Sequence, residues 1–255
     1  MNVDLNALIF DVDGTLADTE RDGHRVAFNL AFAAASLDWV WDEELYGKLL
    51  VVTGGKERIR FFLDRYRPDF VRPADFDGFL KELHLAKNRH YARLLAEGGI
   101  GLRPGVRRLI QEARDAGLRL AVSTTTSPEN VEALLVNALA PDAMSWFEVV
   151  AAGDVVPAKK PAPDIYFYAL EKLGLPAAAC VAFEDSTNGV RSSVGAGLLT
   201  VVTTNGYTAN ENFDGAALVV DQLGEPASPF QVRAGNAHGR QWVDLELVRR
   251  LRAAT

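Results

Sequence analysis

An apolar run near the start of the chain, Ala7-Leu8-Ile9-Phe10, ends abruptly in Asp11-Val12-Asp13-Gly14-Thr15. Four apolar residues with turn chemistry behind them read as a buried strand, and Asp-x-Asp-Gly-Thr reads as the loop leaving it. Open α/β sheets hold their ligands in loops at the carboxyl ends of parallel strands. Two carboxylates this close repel unless a cation or a proton separates them. The pattern therefore points to Mg²⁺ and phosphate chemistry, with one carboxylate as nucleophile and the other as acid/base.

Short apolar runs recur at 118–123, 147–151, 180–183, 199–203 and 217–220, and helical patterns lie between them at 105–116, 128–139, 164–173 and 187–196. Strands alternating with single helices indicate βαβ units and a parallel sheet. The first interval breaks the rhythm, because more than 100 residues separate run 7–10 from run 118–123. Residues 19–97 are therefore expected to form an insertion. It reads as helical: Phe28, Ala31, Phe32 and Ala35 repeat at helical spacing, as do Phe76, Leu80, Leu83 and Leu94, and a helix is expected over 56–65. It leaves the sheet just after Asp11, so it is placed to act as a lid. The expected division is a core from 1–18 and 98–221, an insertion over 19–97, and a tail over 222–255. In that tail, Gly224 to Gly239 reads as loop, and Trp242, Leu245, Val248 and Leu251 suggest a final amphipathic helix docked on the core.

Composition bounds the partners. A net charge of −7, spread along the chain, argues against a nucleic-acid backbone or an anionic membrane. The single cysteine, Cys180, excludes an internal disulfide and suits a reducing compartment; it lies in an apolar run and is expected in the core. There is no uninterrupted apolar stretch of membrane-spanning length, and the first strand begins so near Met1 that no room is left for a signal peptide. The expectation is a cytoplasmic monomer.

Three further features sit at the ends of core elements. In Ala121-Val122-Ser123-Thr124-Thr125-Thr126 a strand runs into hydroxyls just before a helix, an arrangement suited to phosphate. In Lys159-Lys160-Pro161-Ala162-Pro163-Asp164 two prolines stiffen a loop that presents Lys160 as a fixed cation. In Val181-Ala182-Phe183-Glu184-Asp185 acids again follow an apolar strand directly. Taken singly, each has an ordinary explanation as a cap, a turn or a solvated loop. Together they supply nucleophile, acid, hydroxyl, cation and metal-binding carboxylates. A calcium loop is a specific rival for Asp11-x-Asp13, but it needs glycine at its sixth position, which here is Leu16.

The ordered set resembles the haloacid dehalogenase-like (HAD) superfamily of aspartate-nucleophile phosphotransferases. Asp11-Val12-Asp13-Gly14-Thr15 is similar to its first motif, Thr124 to the second, Lys160 to the third and Glu184-Asp185 to the fourth. The resemblance covers about 7–220 and implies a doubly wound, parallel, Rossmann-like α/β core with an inserted all-helical C1-type cap. It implies Asp11 as nucleophile, Asp13 as acid/base, Thr124 and Lys160 on the transferring oxygens, and Mg²⁺ held by Asp11, the Asp13 carbonyl, Asp185 and Glu184, the last directly or through water.

Within the superfamily, Asp18-Thr19-Glu20-Arg21-Asp22-Gly23-His24-Arg25, Thr53-Gly54-Gly55-Lys56-Glu57-Arg58 and Lys160-Pro161-Ala162-Pro163-Asp164 look like the CbbY sugar-phosphate phosphatases. That likeness implies dephosphorylation of xylulose 1,5-bisphosphate, an inhibitor of the carbon-fixing carboxylase of the Calvin cycle. Gly54-Gly55 lets a ligand approach the backbone, and Lys56, Arg58, His84 and Lys87 add charge for a second phosphate. Glu20 and His24 are placed to meet sugar hydroxyls; Thr53, Thr125, Thr126 and Asn130 complete the expected substrate-binding set. The alternatives are a β-phosphoglucomutase-like mutase, a phosphonatase using Lys56 as a Schiff base (which Asp13 argues against), and a catalytically silent binding module.

Overall fold

Residues 4–52 and 54–254 are described by the computed structural model. They divide into two compact units, Thr19–Ile100 and the chain up to Asp18 together with that from Gly101 onward. No helix among the described residues is long and apolar enough to cross a membrane.

The inserted unit is all helical. Thr19–His24 forms a wide π-type turn that runs into α1 (Arg25–Ala34); α2 (Glu43–Leu49), α3 (Gly55–Tyr66) and α4 (Phe76–Ala96) follow. Asp42 and Asp75 cap α2 and α4 by accepting from Leu45 N at 2.7 Å and Gly78 N at 2.8 Å. The core of this unit is aromatic: Phe28 and Phe32 on α1 pack on Trp41 with ring centroids 4.7 and 4.9 Å away, and Trp41 packs on Phe62 of α3 at 5.4 Å. The expected stripe on α1 holds at Phe28, Ala31 and Phe32, but Ala35 lies past the helix end and is exposed. On α4 the buried stripe is Leu80, Leu83, Lys87, Tyr91 and Leu95, so Leu95 and not Leu94 closes it. The stripe continues through a lysine and a tyrosine, and apolar spacing alone lost its register there.

The other unit is an α/β sheet. Its strands are β1 (Ala7–Phe10), β2 (Arg119–Ser123), β3 (Val149–Ala151), β4 (Cys180–Glu184), β5 (Leu199–Thr203), β6 (Leu218–Val220) and β7 (Val232–Gly235), in the order β3-β2-β1-β4-β5-β6-β7. β1 to β6 are parallel, and β7 runs antiparallel to β6. The crossover helices are α5 (Val106–Asp115), α6 (Pro128–Leu134), α7 (Asp164–Leu173) and α8 (Thr187–Gly195), and α9 (Leu245–Ala253) closes the chain. The pattern expected as one helix over 128–139 is α6 followed by a π-type turn, Leu135–Leu139. Alternate residues of the central strands, Ala7 and Ile9 on β1 and Cys180 and Ala182 on β4, face α7 through Ile165, Tyr166 and Ala169. Phe10 and Phe183 stack at 4.7 Å, and both are buried. Cys180 is a buried free thiol, and burial pushes it up to about 11.

The tail departs in part from expectation. Val232–Gly235, within the segment read as loop, is the edge strand β7. All four of its residues are exposed, so no buried face imposes an apolar alternation that a sequence could display. α9 packs through Leu245, Leu247, Val248 and Leu251, which are buried, while Trp242, expected on this helix, precedes it; Leu245 N donates to Glu112 of α5 at 3.0 Å, and Arg108 of α5 donates to Val243 O at 3.0 Å.

Candidate active site

The strand order turns at β1: β2 and β3 lie on one side, and β4, β5 and β6 on the other. Doubly wound sheets leave a crevice at such a switch point. The register fixes what lines it. Phe10 pairs with Val122 on β2 and with Phe183 on β4, so the next residue of each strand, Asp11, Ser123 and Glu184, emerges at one level.

Lys160 arrives from the loop between β3 and α7 and joins all three. Its Nζ donates to Asp11 Oδ1 at 2.7 Å, to Ser123 O at 2.8 Å and to Glu184 Oε1 at 2.6 Å. Glu184 Oε1 also accepts from the Tyr166 hydroxyl at 2.5 Å. Asp185 accepts from Asn205 Nδ2 at 2.7 Å. Asp11, Glu184 and Asp185 each offer a carboxylate oxygen within 4.8 Å of the others, and all three are buried.

Gly14 allows this crowding. Its φ is +84°, and a Cβ there would lie 2.1 Å from Asp185 Oδ2, so a side chain is excluded by both conformation and space. Gly189, in the first turn of α8, gives the same room to Glu184, whose Oε2 would lie 1.8 Å from an added Cβ.

The electrostatics are those of an acid cluster short of positive charge. Burial pushes Asp11 up to about 8; Lys160 pulls the other way, and Glu184 and Asp13 add to the rise. Burial also raises Asp185 well above the usual carboxylate range, with Asp11 and Glu184 adding to it and Arg103 opposing. Burial works against the charge on Lys160, but the carboxylates of Asp11 and Glu184 outweigh it and hold the ammonium above its ordinary value. Among the described residues, Glu184 Oε2 is buried without a hydrogen-bond partner. Three clustered carboxylates with an orphaned oxygen fit a hard divalent cation, which takes oxygen ligands.

The hydroxyl loop follows β2. Thr124 is buried, its N donates to Ala151 O at 2.9 Å, and its Oγ1 accepts from Thr126 N at 3.3 Å. Thr125 and Thr126 are half-buried beside it, and Asn130 is buried in the first turn of α6. Asp13 is half-buried in the loop after β1.

Within the inserted unit, the expected substrate residues form two groups. Tyr46 donates to Glu20 Oε2 at 2.5 Å and accepts from Arg58 Nη1 at 2.7 Å, and Arg58 lies 3.5 Å from Glu20. Lys87 Nζ lies 3.0 Å from His24 Nδ1 and over the rings of Phe28 and Tyr91. Arg58 and Lys87 are buried, whereas Lys56 is exposed. Gly54 and Gly55 open α3, with the His84 ring close against Gly55. Burial pushes His84 down to about 4, with Lys87 and Lys56 adding to the fall. Thr53 lies outside the described residues.

Four contributors escaped the sequence reading: Tyr166, Tyr46, Asn205 and Arg103. Tyr166 sits on the apolar stripe of α7, Tyr46 among the aromatic residues of the insertion, and Asn205 in an ordinary loop after β5. Arg103 lies in the glycine-rich stretch 98–105, between the insertion and α5.

The family model described as haloacid dehalogenase-like hydrolase matches residues 5–197. Protein CbbY of Cupriavidus necator is 48% identical over 246 residues, covering 96% of each chain. A solved structure of a CbbY variant from Rhodobacter sphaeroides, in complex with xylulose 1,5-bisphosphate, is 49% identical with a TM-score of 0.78, covering 88% of this chain and 98% of that one. A β-phosphoglucomutase structure from Clostridium difficile shares the fold, with a TM-score of 0.67 at 22% identity over 86% of this chain and 91% of its own. Matches of this length and identity leave one assignment: the chain belongs to the haloacid dehalogenase-like hydrolases and, within them, to the CbbY group of phosphatases.

Proposed function

We propose that the protein is a Mg²⁺-dependent phosphatase that hydrolyses xylulose 1,5-bisphosphate through an aspartyl-phosphate on Asp11. The observation that carries this reading is the bridge from Lys160 to both Asp11 and Glu184, inside a buried cluster of three carboxylates. The substrate rests on the likeness to the CbbY structure that holds this sugar bisphosphate.

Asp11, Asp185 and the Asp13 carbonyl would hold the cation, with Glu184 directly or through water. A bound Mg²⁺ supplies the positive charge that favours ionised Asp11 and offsets the repulsion between its carboxylate and an anionic phosphate. Asp11 attacks phosphorus, and the bond to the sugar oxygen breaks as Asp13 delivers a proton to that oxygen. Asp13 then takes a proton from water as the water opens the aspartyl-phosphate, releasing inorganic phosphate and restoring both carboxylates. Lys160 and Thr124 steady the transferring oxygens, since phosphoryl transfer depends mainly on positioning and charge. In the inserted unit, Arg58 and Lys87 are the cations for a second phosphate, with Glu20 and His24 for the sugar hydroxyls. Gly54, Gly55, Lys56, His84, Thr125, Thr126 and Asn130 stand in the same proposed set.

The test is release of inorganic phosphate from xylulose 1,5-bisphosphate, with Mg²⁺ and again with a chelator. Mg²⁺-dependent release is expected. Interconversion of hexose phosphates without net release, or chelator-insensitive turnover, would overturn the reading.

A further inference from the structure

We infer that Arg103 is a positioning residue for the metal-binding carboxylate Asp185, acting through the Gly14 loop on one side and the Asn205 loop on the other; this rests on the phosphatase reading above.

Arg103 stands where the chain re-enters the core after the insertion, and its guanidinium is buried. Nη1 donates to Gly14 O, and it donates at 3.0 Å to both Thr203 O and Thr203 Oγ1. Nη2 donates to Thr204 O at 2.5 Å and to Asp221 O at 2.8 Å. Nε lies 3.3 Å from Asp18 Oδ1. Four main-chain oxygens from the loop after β1 and the ends of β5 and β6 thus converge on one side chain. A guanidinium is a planar, multi-donor cation that meets such a set; the ammonium of lysine is a point charge with another shape.

The segments Arg103 gathers are those that cradle Asp185. The Gly14 Cα approaches Asp185 so closely that a Cβ would fall 2.1 Å from its Oδ2 and 2.6 Å from Asn205 Nδ2. Asn205 directly follows Thr204, and its Nδ2 donates to that same Oδ2. Releasing Arg103 therefore frees both walls of the carboxylate together. The backbone reinforces the arrangement: Arg103 N donates to Leu16 O at 2.9 Å, within the Asp11–Asp18 stretch.

The experiment compares the whole wild-type protein with Arg103→Lys, which keeps the charge and loses the fork. Calorimetry with Mg²⁺ alone reads metal affinity without turnover, and p-nitrophenyl phosphate reads kcat and KM whatever the natural substrate is. For folded R103K, Mg²⁺ affinity and kcat are both expected to fall about tenfold or more, the scale of a lost support behind a metal ligand, with KM within about twofold. Unchanged metal affinity and kcat, with only a lower melting temperature, would overturn the inference and leave Arg103 a bolt of the scaffold. Where R103K does not fold, Thr203→Val removes one acceptor of the clamp; Mg²⁺ affinity is then expected to fall about fivefold, one hydrogen bond's worth, and an unchanged affinity overturns the inference. The phosphatase reading is judged separately, on the wild-type protein: absence of Mg²⁺-dependent phosphate release there defeats that reading, whereas the ratio of variant to wild type judges Arg103.

Discussion

Replacing Lys160 with methionine tests the electrostatic reasoning most directly. Lys160 makes contacts of 2.7 Å to Asp11 and 2.6 Å to Glu184, and it also satisfies Ser123 O. The two acids are buried, Glu184 to within 1% exposure. Removing the cation leaves Glu184 and the ionised fraction of Asp11 buried without the Lys160 charge, a loss of about 3–5 kcal/mol. For a chain of this size that corresponds to a fall in melting temperature on the order of 10 °C. Protons relieve the repulsion, so the fall measured in chelator by calorimetry should be larger at pH 8 than at pH 5. Adding Glu184→Gln to K160M removes one of the stranded charges and should recover part of the loss. Turnover should stay about 100-fold or more below wild type in both variants, because the charge beside the transferring oxygens is gone. A K160M protein that melts within about 1 °C of wild type in chelator at pH 8 would refute the reasoning, since so small a change is far below the cost of stranding a buried charge.

Asp11→Asn keeps the shape of the side chain and removes its nucleophilicity; phosphate release should fall by about 10⁴-fold or more, and substantial retained activity would dismiss Asp11 as nucleophile. Gly14→Ala places a Cβ against Asp185 at a φ of +84°, so Mg²⁺ affinity by calorimetry should drop about tenfold, with a melting temperature lowered by a few degrees. Asp11 at about 8 lies above its ordinary 3.8, so between those values the folded metal-free protein binds more protons than the unfolded chain. Its contribution to stability therefore falls as pH rises across that interval. The rise in melting temperature on adding Mg²⁺ should then be larger at pH 8 than at pH 5, and metal binding should release protons, measurable as a buffer-dependent heat.

How much was legible varies with the kind of group involved. β1 and β4 are buried on both faces, so they appear as plain apolar runs, and the acids ending them stand out against that background. Lys160 is marked by the prolines around it. α7 begins and ends where read, at Asp164 and Leu173, because prolines precede it and Gly174 closes it in the left-handed conformation. What was not legible depends on partners remote in sequence. The carbonyls of Thr203, Thr204 and Asp221 that receive Arg103 are main-chain groups, which every residue type carries equally. Tyr166 occupies a core position on α7 that phenylalanine would fill equally well by spacing; only the fold brings its hydroxyl to Glu184. β7 is paired on one side and exposed throughout, so nothing in its composition separates it from loop.

The cluster of Asp11, Glu184 and Asp185 is a local conflict within an otherwise consistent fold. The parallel register forces Asp11 and Glu184 to one level, Gly14 and Gly189 are shaped to let the carboxylates crowd, and a single lysine stands between two of them. A core selected for stability alone would replace such a set with well-packed apolar residues at little cost. Instead, Tyr166 and Asn205 donate hydrogen bonds to Glu184 and Asp185, and Arg103 donates to the Gly14 carbonyl beside them. Support of that kind around groups that repel one another makes sense where the conflict is resolved by something that arrives from outside. Under the proposed function, protons on the metal-free cluster and the charge of a divalent cation would be two resolutions of the same repulsion, and exchanging one for the other would leave Asp11 ionised for attack on phosphate.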